Sequence, residues 1–169
     1  MAGKNAQSLS ISESAERSPD MSVIFEESPI RDAFRISFVA NRLVLPVYDQ
    51  ILRDFGINRG EYLLVFCLSH FDELTAQDIA EMTARPRNSI SRAVHRMIKD
   101  GYITRTPHPT DGRQKLLRIT TKGRQLQSKI LPLFVNREAH ILSVLDPRER
   151  AMLDRLLMKL VGGRRLAEG

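Results

Sequence analysis

Nine Lys and Arg side chains fall between Arg85 and Arg118, against two acids, Asp100 and Asp111. A surplus of cations this local suits a polyanionic partner. Inside the stretch, Ile90, Ala93, Val94, Met97 and Ile98 recur at helical spacing and form one apolar stripe. A helix that turns this stripe toward a core leaves Arg87, Asn88, Ser91, Arg92 and His95 on its other faces. Arg and Asn carry planar donor sets that match guanine and adenine edges in the major groove. The helix N-terminus adds the positive end of its dipole and free N–H groups, both suited to phosphate. Taken alone, the same pattern also describes a solvated amphipathic helix with a basic face.

The flanking elements favour the first reading. Arg85-Pro86 opens the helix, and Gly101 suits the left-handed position after its end. Tyr102–Thr106 and Gln114–Ile119 are short β-type runs separated by the turn-rich segment from Pro107 to Arg113, which reads as a hairpin. Upstream, Thr75 and Asp78 form a capping-box-like start for a short helix ending near Thr83, with Asp in place of the usual Glu. Before it, a helix runs from Asn58 or Arg59 to about His70. A first helix starts near Ser28-Pro29 and ends at Gly56, with Pro46 expected to kink or break it. Downstream, Thr120 caps a helix that continues through Pro132 to about Val144, and Asp146-Pro-Arg-Glu149 starts a last one running to Leu160. Two short helices followed by a basic hairpin make a winged helix-turn-helix, of class α+β but mainly α.

Composition is compatible with this and excludes several classes. The chain has 169 residues and a formal net charge of +6. The longest apolar run, Tyr62 to Leu68, is far short of the ~20 residues of a membrane span, and the polar N-terminus is unlike a signal peptide. A single cysteine, Cys67, makes no internal disulfide, so a reducing cytoplasm is the expected compartment. No phosphate-binding loop, zinc-protease motif or nucleophile motif occurs, so an enzyme is not expected. His70, His95, His108 and His140 lack metal-ligand spacing, and neither metal nor cofactor is expected.

Particular segments carry a family resemblance. Asp78-Ile-Ala-Glu81, Arg87-Asn-Ser-Ile-Ser-Arg-Ala-Val94, Met97-Ile-Lys-Asp-Gly-Tyr-Ile103, Pro109-Thr-Asp-Gly-Arg113 and Leu117-Arg-Ile-Thr-Thr-Lys-Gly123 resemble the MarR (multiple antibiotic resistance regulator) family. The Asp-Gly-Arg tip followed by Thr-x-Lys-Gly is the most specific part. The resemblance covers roughly residues 30–161. It implies a homodimer that binds a pseudo-palindromic operator and acts as a repressor. Arg87, Asn88, Ser89, Ser91 and Arg92 would contact DNA from the recognition helix, and Arg113 would reach the minor groove with Asp111 positioning it. Arg105, Lys115 and Arg118 would meet the DNA backbone. The expected division is an N-terminal flexible arm (1–28), dimerisation helices (29–56 and 120–161), the DNA-binding lobe (57–119) and a tail (162–169). The apolar surplus on Ile130, Leu131, Leu133, Phe134, Ile141 and Leu145, and on Leu153, Leu156, Leu157 and Leu160, agrees with a dimer.

The resemblance also implies a small aromatic or anionic effector bound between the dimer helices and the DNA lobe. Phe38, Tyr62 and Phe66 would line its site, with Arg42 as the partner of a carboxylate. Two alternatives remain at this stage: a redox-responsive repressor using Cys67, and a winged-helix module that binds protein instead of DNA.

Overall fold

The computed structural model describes residues 21–111 and 114–162. The chain divides into two compact units, Met1–Val39 and Ala40–Gly169. In the first, Val23–Glu27 form a π-helical turn, inside the stretch expected to be a flexible arm. Its Phe25 ring stands edge-on to Phe34 and Phe38, with centroids 6.0 and 4.9 Å away. Residues 1–20 of that arm lie outside the described residues.

Of the kink or break expected at Pro46, the break does not occur: helix α1 (Arg31–Phe55) is continuous through it. The physical reason is visible on α5 (Thr121–Ile141). Proline has no N–H to give the carbonyl four residues back, which is that of Arg42. Arg137 replaces the missing donor: its Nε and Nη2 donate to the Arg42 carbonyl at 3.1 and 2.6 Å.

The second unit holds the core. Helix α2 (Arg59–His70) is capped by Asn58, which accepts from the Glu61 N–H while Glu61 accepts from the Asn58 N–H. Strand β1 (Leu74–Thr75) was not foreseen. Two residues carry no periodicity, and only pairing with β3 defines them. Helix α3 (Ala76–Thr83) starts in the expected Thr75/Asp78 capping box. Helix α4 (Arg87–Lys99) follows, and Gly101 takes φ +76° as expected. Strands β2 (Ile103–Pro107) and β3 (Lys115–Ile119) pair antiparallel, giving a three-stranded sheet of order β1-β3-β2.

Ile51, Leu64, Leu68, Ile79, Ile90, Met97, Ile103, Leu117 and Ile130 are fully buried, drawing every element from α1 to α5 into one core. Each such side chain contributes about 1.5–3 kcal/mol through burial. The start of α5 is fixed just as closely. Thr120 donates through its hydroxyl to the Gly101 and Tyr102 carbonyls and accepts from the Gly123 N–H. A Cβ on Gly123 would stand 2.3 Å from the Tyr102 oxygen, so only glycine lets α5 approach the hairpin this closely.

After a single turn of 3-10 helix at Leu142–Val144, α6 runs Pro147–Gly162 with no buried residue. Among the described residues, no helix is long and apolar enough to cross a membrane.

Candidate nucleic-acid interface

Helix α4 turns Ile90, Ala93, Val94 and Met97 into the core. Arg87, Asn88, Ser91, Arg92 and His95 are exposed on the opposite side, as the helical phase requires. No side chain caps its N-terminus at Pro86, which leaves the first turn open to an external acceptor. Ser89 points elsewhere than expected. Its hydroxyl oxygen would lie 4.0 Å from a Cβ on Gly60, so it faces the start of α2.

A groove of ≈ 450 Å³ runs between α4, the start of α3 and the hairpin. It is lined by Arg87, Ser91, Val94 and His95 from α4, by Thr75, Ala76 and Gln77, and by Arg105, Gln114, Lys115 and Leu117 from the hairpin. Its charged lining residues are cations only. Pairing register explains the hairpin's share. Arg105 is opposite Leu117, and Pro107 opposite Lys115, so Arg105 and Lys115 share the sheet face of the buried Leu117. Arg118 is an odd number of positions from Lys115 and lies on the other face, where it pairs with Glu73. Lys115 and Arg118, grouped together on sequence, are therefore separated by the pleat.

At the hairpin tip the Asp111 carboxylate accepts from the Gln114 side-chain amide at 2.9 Å. Its backbone N–H donates to His108 Nδ1 at 3.2 Å. Arg113, expected at the minor groove, lies outside the described residues, as does Gly112.

One more arginine of α4 has a structural task. Arg96 reaches Glu61 Oε1 at 3.1 Å and donates to the Gly56 carbonyl at 2.9 Å. Glu61 is only 2% exposed, so Arg96 balances a buried carboxylate and ties α4 to the start of α2.

The model of the MarR family matches residues 55–114, which span α2 to the hairpin tip. Over this segment the chain is similar to the MarR family. The HTH-type transcriptional regulator BilQ of Clostridium symbiosum is 28% identical over 109 residues, 64% of this chain and 76% of BilQ. A MarR family transcriptional regulator from Streptomyces coelicolor, solved in complex with DNA, superposes with a TM-score of 0.67 at 22% identity, covering 80% of this chain and 92% of that one. Bordetella bronchiseptica BpsR, solved in a study of how 6-hydroxynicotinic acid regulates its DNA binding, gives 0.68 at 19% identity, covering 78% and 98%. The family is one of DNA-binding transcription regulators, not of enzymes.

A second cavity, of ≈ 420 Å³, opens between α1, α2 and α5. Tyr62 and Phe66 line it as expected, together with Tyr48, Phe134, Glu138 and Arg150. Phe38 and Arg42 are not among its lining residues. The Arg42 carbonyl holds Arg137, and Phe38 meets the Phe25 ring edge-on. Tyr62 stacks on Phe134 with centroids 5.0 Å apart, and Tyr48 meets both rings edge-on. Burial pushes the Tyr62 phenol up to about 12, against a smaller opposing effect of Gln127. The Tyr62 hydroxyl and both polar atoms of the Gln127 amide are buried without a hydrogen bond of ordinary geometry. Burial also raises the Tyr48 phenol, offset in part by the nearby Arg59.

Cys67 is 5% exposed, and burial raises its thiol as well. A thiol kept protonated and covered is a poor nucleophile toward peroxide, which removes the main support for a redox switch here.

Proposed function

We propose that the chain is a homodimeric, sequence-specific DNA-binding repressor of the bacterial cytoplasm, released from a pseudo-palindromic operator by a small aromatic or anionic effector. The observation that carries this reading is the groove beside α4, where Arg87, Arg105 and Lys115 converge with no acid among the lining residues. Helix α4 enters the major groove, with Asn88, Ser91 and Arg92 reaching base edges. Lys115 and Arg105 meet phosphates from the hairpin, and Arg113 extends the contact into the minor groove. The Streptomyces coelicolor neighbour, solved with DNA, supports the same use of the fold.

Dimerisation rests on apolar surface that is exposed among the described residues. Leu156, Leu157, Leu160 and Val161 of α6 are 46–70% exposed. A second copy that buries this face places the two recognition helices about one DNA turn, roughly 34 Å, apart. The effector occupies the aromatic cavity. Tyr62, Phe66 and Phe134 stack on its ring, and Arg150 replaces Arg42 as the partner of an anionic group.

Equilibrium binding over a salt series tests the core of this proposal. Lys115→Ala should weaken binding to operator and random duplex alike, and lower the slope of log affinity against log salt by about one unit. Arg92→Ala should instead narrow the gap between the two duplexes. Absence of salt-dependent duplex binding by the intact chain would overturn the reading in favour of a protein-binding winged helix.

A further inference from the structure

His95 belongs to none of the DNA contacts assigned above, yet a hydrogen bond to its own helix holds its ring. It is exposed on α4, one turn beyond Ser91, and lines the groove beside Arg87 and Lys115. Its Nδ1 lies 2.7 Å from the Ser91 carbonyl oxygen. A carbonyl only accepts, so Nδ1 carries the proton whichever charge the ring has. The neutral ring is thereby restricted to one tautomer, and Nε2 is its remaining acceptor. The same hydrogen bond fixes the ring orientation relative to the helix.

We propose that His95 is a base-reading residue whose preference changes with its protonation. This rests on α4 occupying the major groove, as set out under the proposed function. In the neutral ring Nε2 is an acceptor. Of the groups on the major-groove edges, only the amino groups of adenine N6 and cytosine N4 donate to it. In the charged ring Nε2 carries a proton and donates; guanine offers it two acceptors, N7 and O6, where adenine and thymine offer one each, N7 and O4. One side chain held in one orientation thus reads an amino base when neutral and favours guanine when charged.

The charged groups that line the groove with His95 are Arg87 on its own helix and Arg105 and Lys115 on the hairpin. The share of the lining contributed from the start of α3, Thr75, Ala76 and Gln77, carries no charge. An imidazole is the side chain whose charge ordinarily changes between pH 5 and 8, so the change of preference falls in an accessible range.

Selection from a randomised duplex pool by the full-length chain, at pH 8 and again at pH 5.5, tests the proposal. At one symmetry-related pair of positions the bound pool should favour adenine or cytosine at pH 8. At pH 5.5 it should move toward guanine by about 3- to 10-fold, the range of one hydrogen bond gained or lost. His95→Ala should bind duplex DNA and lose the preference at that pair, with identical selections at both pH values. His95→Gln, which keeps a polar tip without titrating, should hold one preference at both. A wild-type selection that is sequence-specific but identical at the two pH values overturns the role of His95 and leaves the DNA-binding reading intact. Retention of the pH-dependent shift in His95→Ala overturns it equally. A pool with no enrichment at either pH overturns both.

Discussion

The winged-helix lobe and the C-terminal helix α6 follow opposite rules of burial. In the lobe, apolar side chains meet one another: Leu64, Leu68, Ile79 and Ile90 are each 0% exposed. In α6, the apolar stripe of Leu156, Leu157 and Leu160 is 46–65% exposed, although its spacing is as regular as that of α4. A contiguous exposed apolar stripe is an unfilled interface on a folded chain. The contrast teaches that amphipathic periodicity specifies a helix without specifying what the helix packs against. The lobe has its partner within the chain, whereas α6 has it in a second copy only under the proposed function.

The comparison breaks most visibly through core truncation. Leu68→Ala should lower the free energy of unfolding by about 2–5 kcal/mol, the cost of a cavity in a packed core, at any protein concentration. Leu160→Ala should change the stability of the dilute monomer by less than about 0.5 kcal/mol, while raising the dimer dissociation constant. Denaturant unfolding at two protein concentrations, with sedimentation alongside, separates the two. If Leu160→Ala is as damaging as Leu68→Ala in dilute solution, α6 belongs to the lobe's own fold.

The next effect sharpens the division inside α4 between arginines that hold the lobe together and arginines that face the groove. Arg96→Ala leaves the buried Glu61 carboxylate with the Asn58 N–H but without its cation, and should lower stability by about 2–3 kcal/mol, as loss of a charged hydrogen bond to a buried group does. Adding Glu61→Gln should recover part of this loss. Duplex affinity, measured per folded molecule, should change little. Arg87→Ala should behave in the opposite way, with stability unchanged and binding weakened. Thermal melts paired with duplex titrations would show it, and similar profiles for the two variants would remove the distinction.

The smallest effect concerns the aromatic cavity. The Tyr62 hydroxyl is buried without a partner, so Tyr62→Phe removes an unsatisfied group and should leave stability at pH 7 unchanged or slightly higher. The folded-state phenol titrates at about 12 instead of its ordinary 10.0, so the folded chain holds this proton more tightly than the unfolded one. The proton therefore has no effect on stability below pH 10, and stability falls as pH rises toward 12. The fall amounts to about 2–3 kcal/mol for a shift of this size. Tyr62→Phe should flatten that alkaline limb. Some slope will persist because Cys67 and Tyr48 are also raised. An unaltered limb in the variant would place the proton elsewhere.

Much of the candidate site was legible along the chain because helical phase is a local property. The stripe from Ile90 to Met97 determines which face of α4 holds Arg87, Asn88, Ser91 and Arg92, and the structure agrees. Ser89 and Arg118 were legible only in part. Ser89 lies at the boundary of the exposed face, and the approach of Gly60 decides its side. For Arg118, strand alternation alone could have separated it from Lys115, but its pairing with Glu73 depends on how the β1 segment docks. His95 showed its exposure in the sequence, whereas its fixed tautomer required the distance to the Ser91 carbonyl.

Local sequence was enough for the succession of helices α1 to α6 and the two hairpin strands, for the helix starts at Asn58, Thr75 and Thr120, for the basic face of α4 and for the glycine at Gly101. Each depends on neighbours within a turn or two of chain, where residue type dictates backbone preference. Tertiary structure alone decided that α1 survives Pro46, because the donor that satisfies the Arg42 carbonyl comes from Arg137, far along the chain on α5. It also decided which apolar residues of α5 serve this chain's own core. Ile130 is 0% exposed there and Leu133 and Phe134 pack against it, although all three read in sequence as dimer surface. Hydrophobicity states that a side chain must be covered, and only packing in three dimensions decides by what.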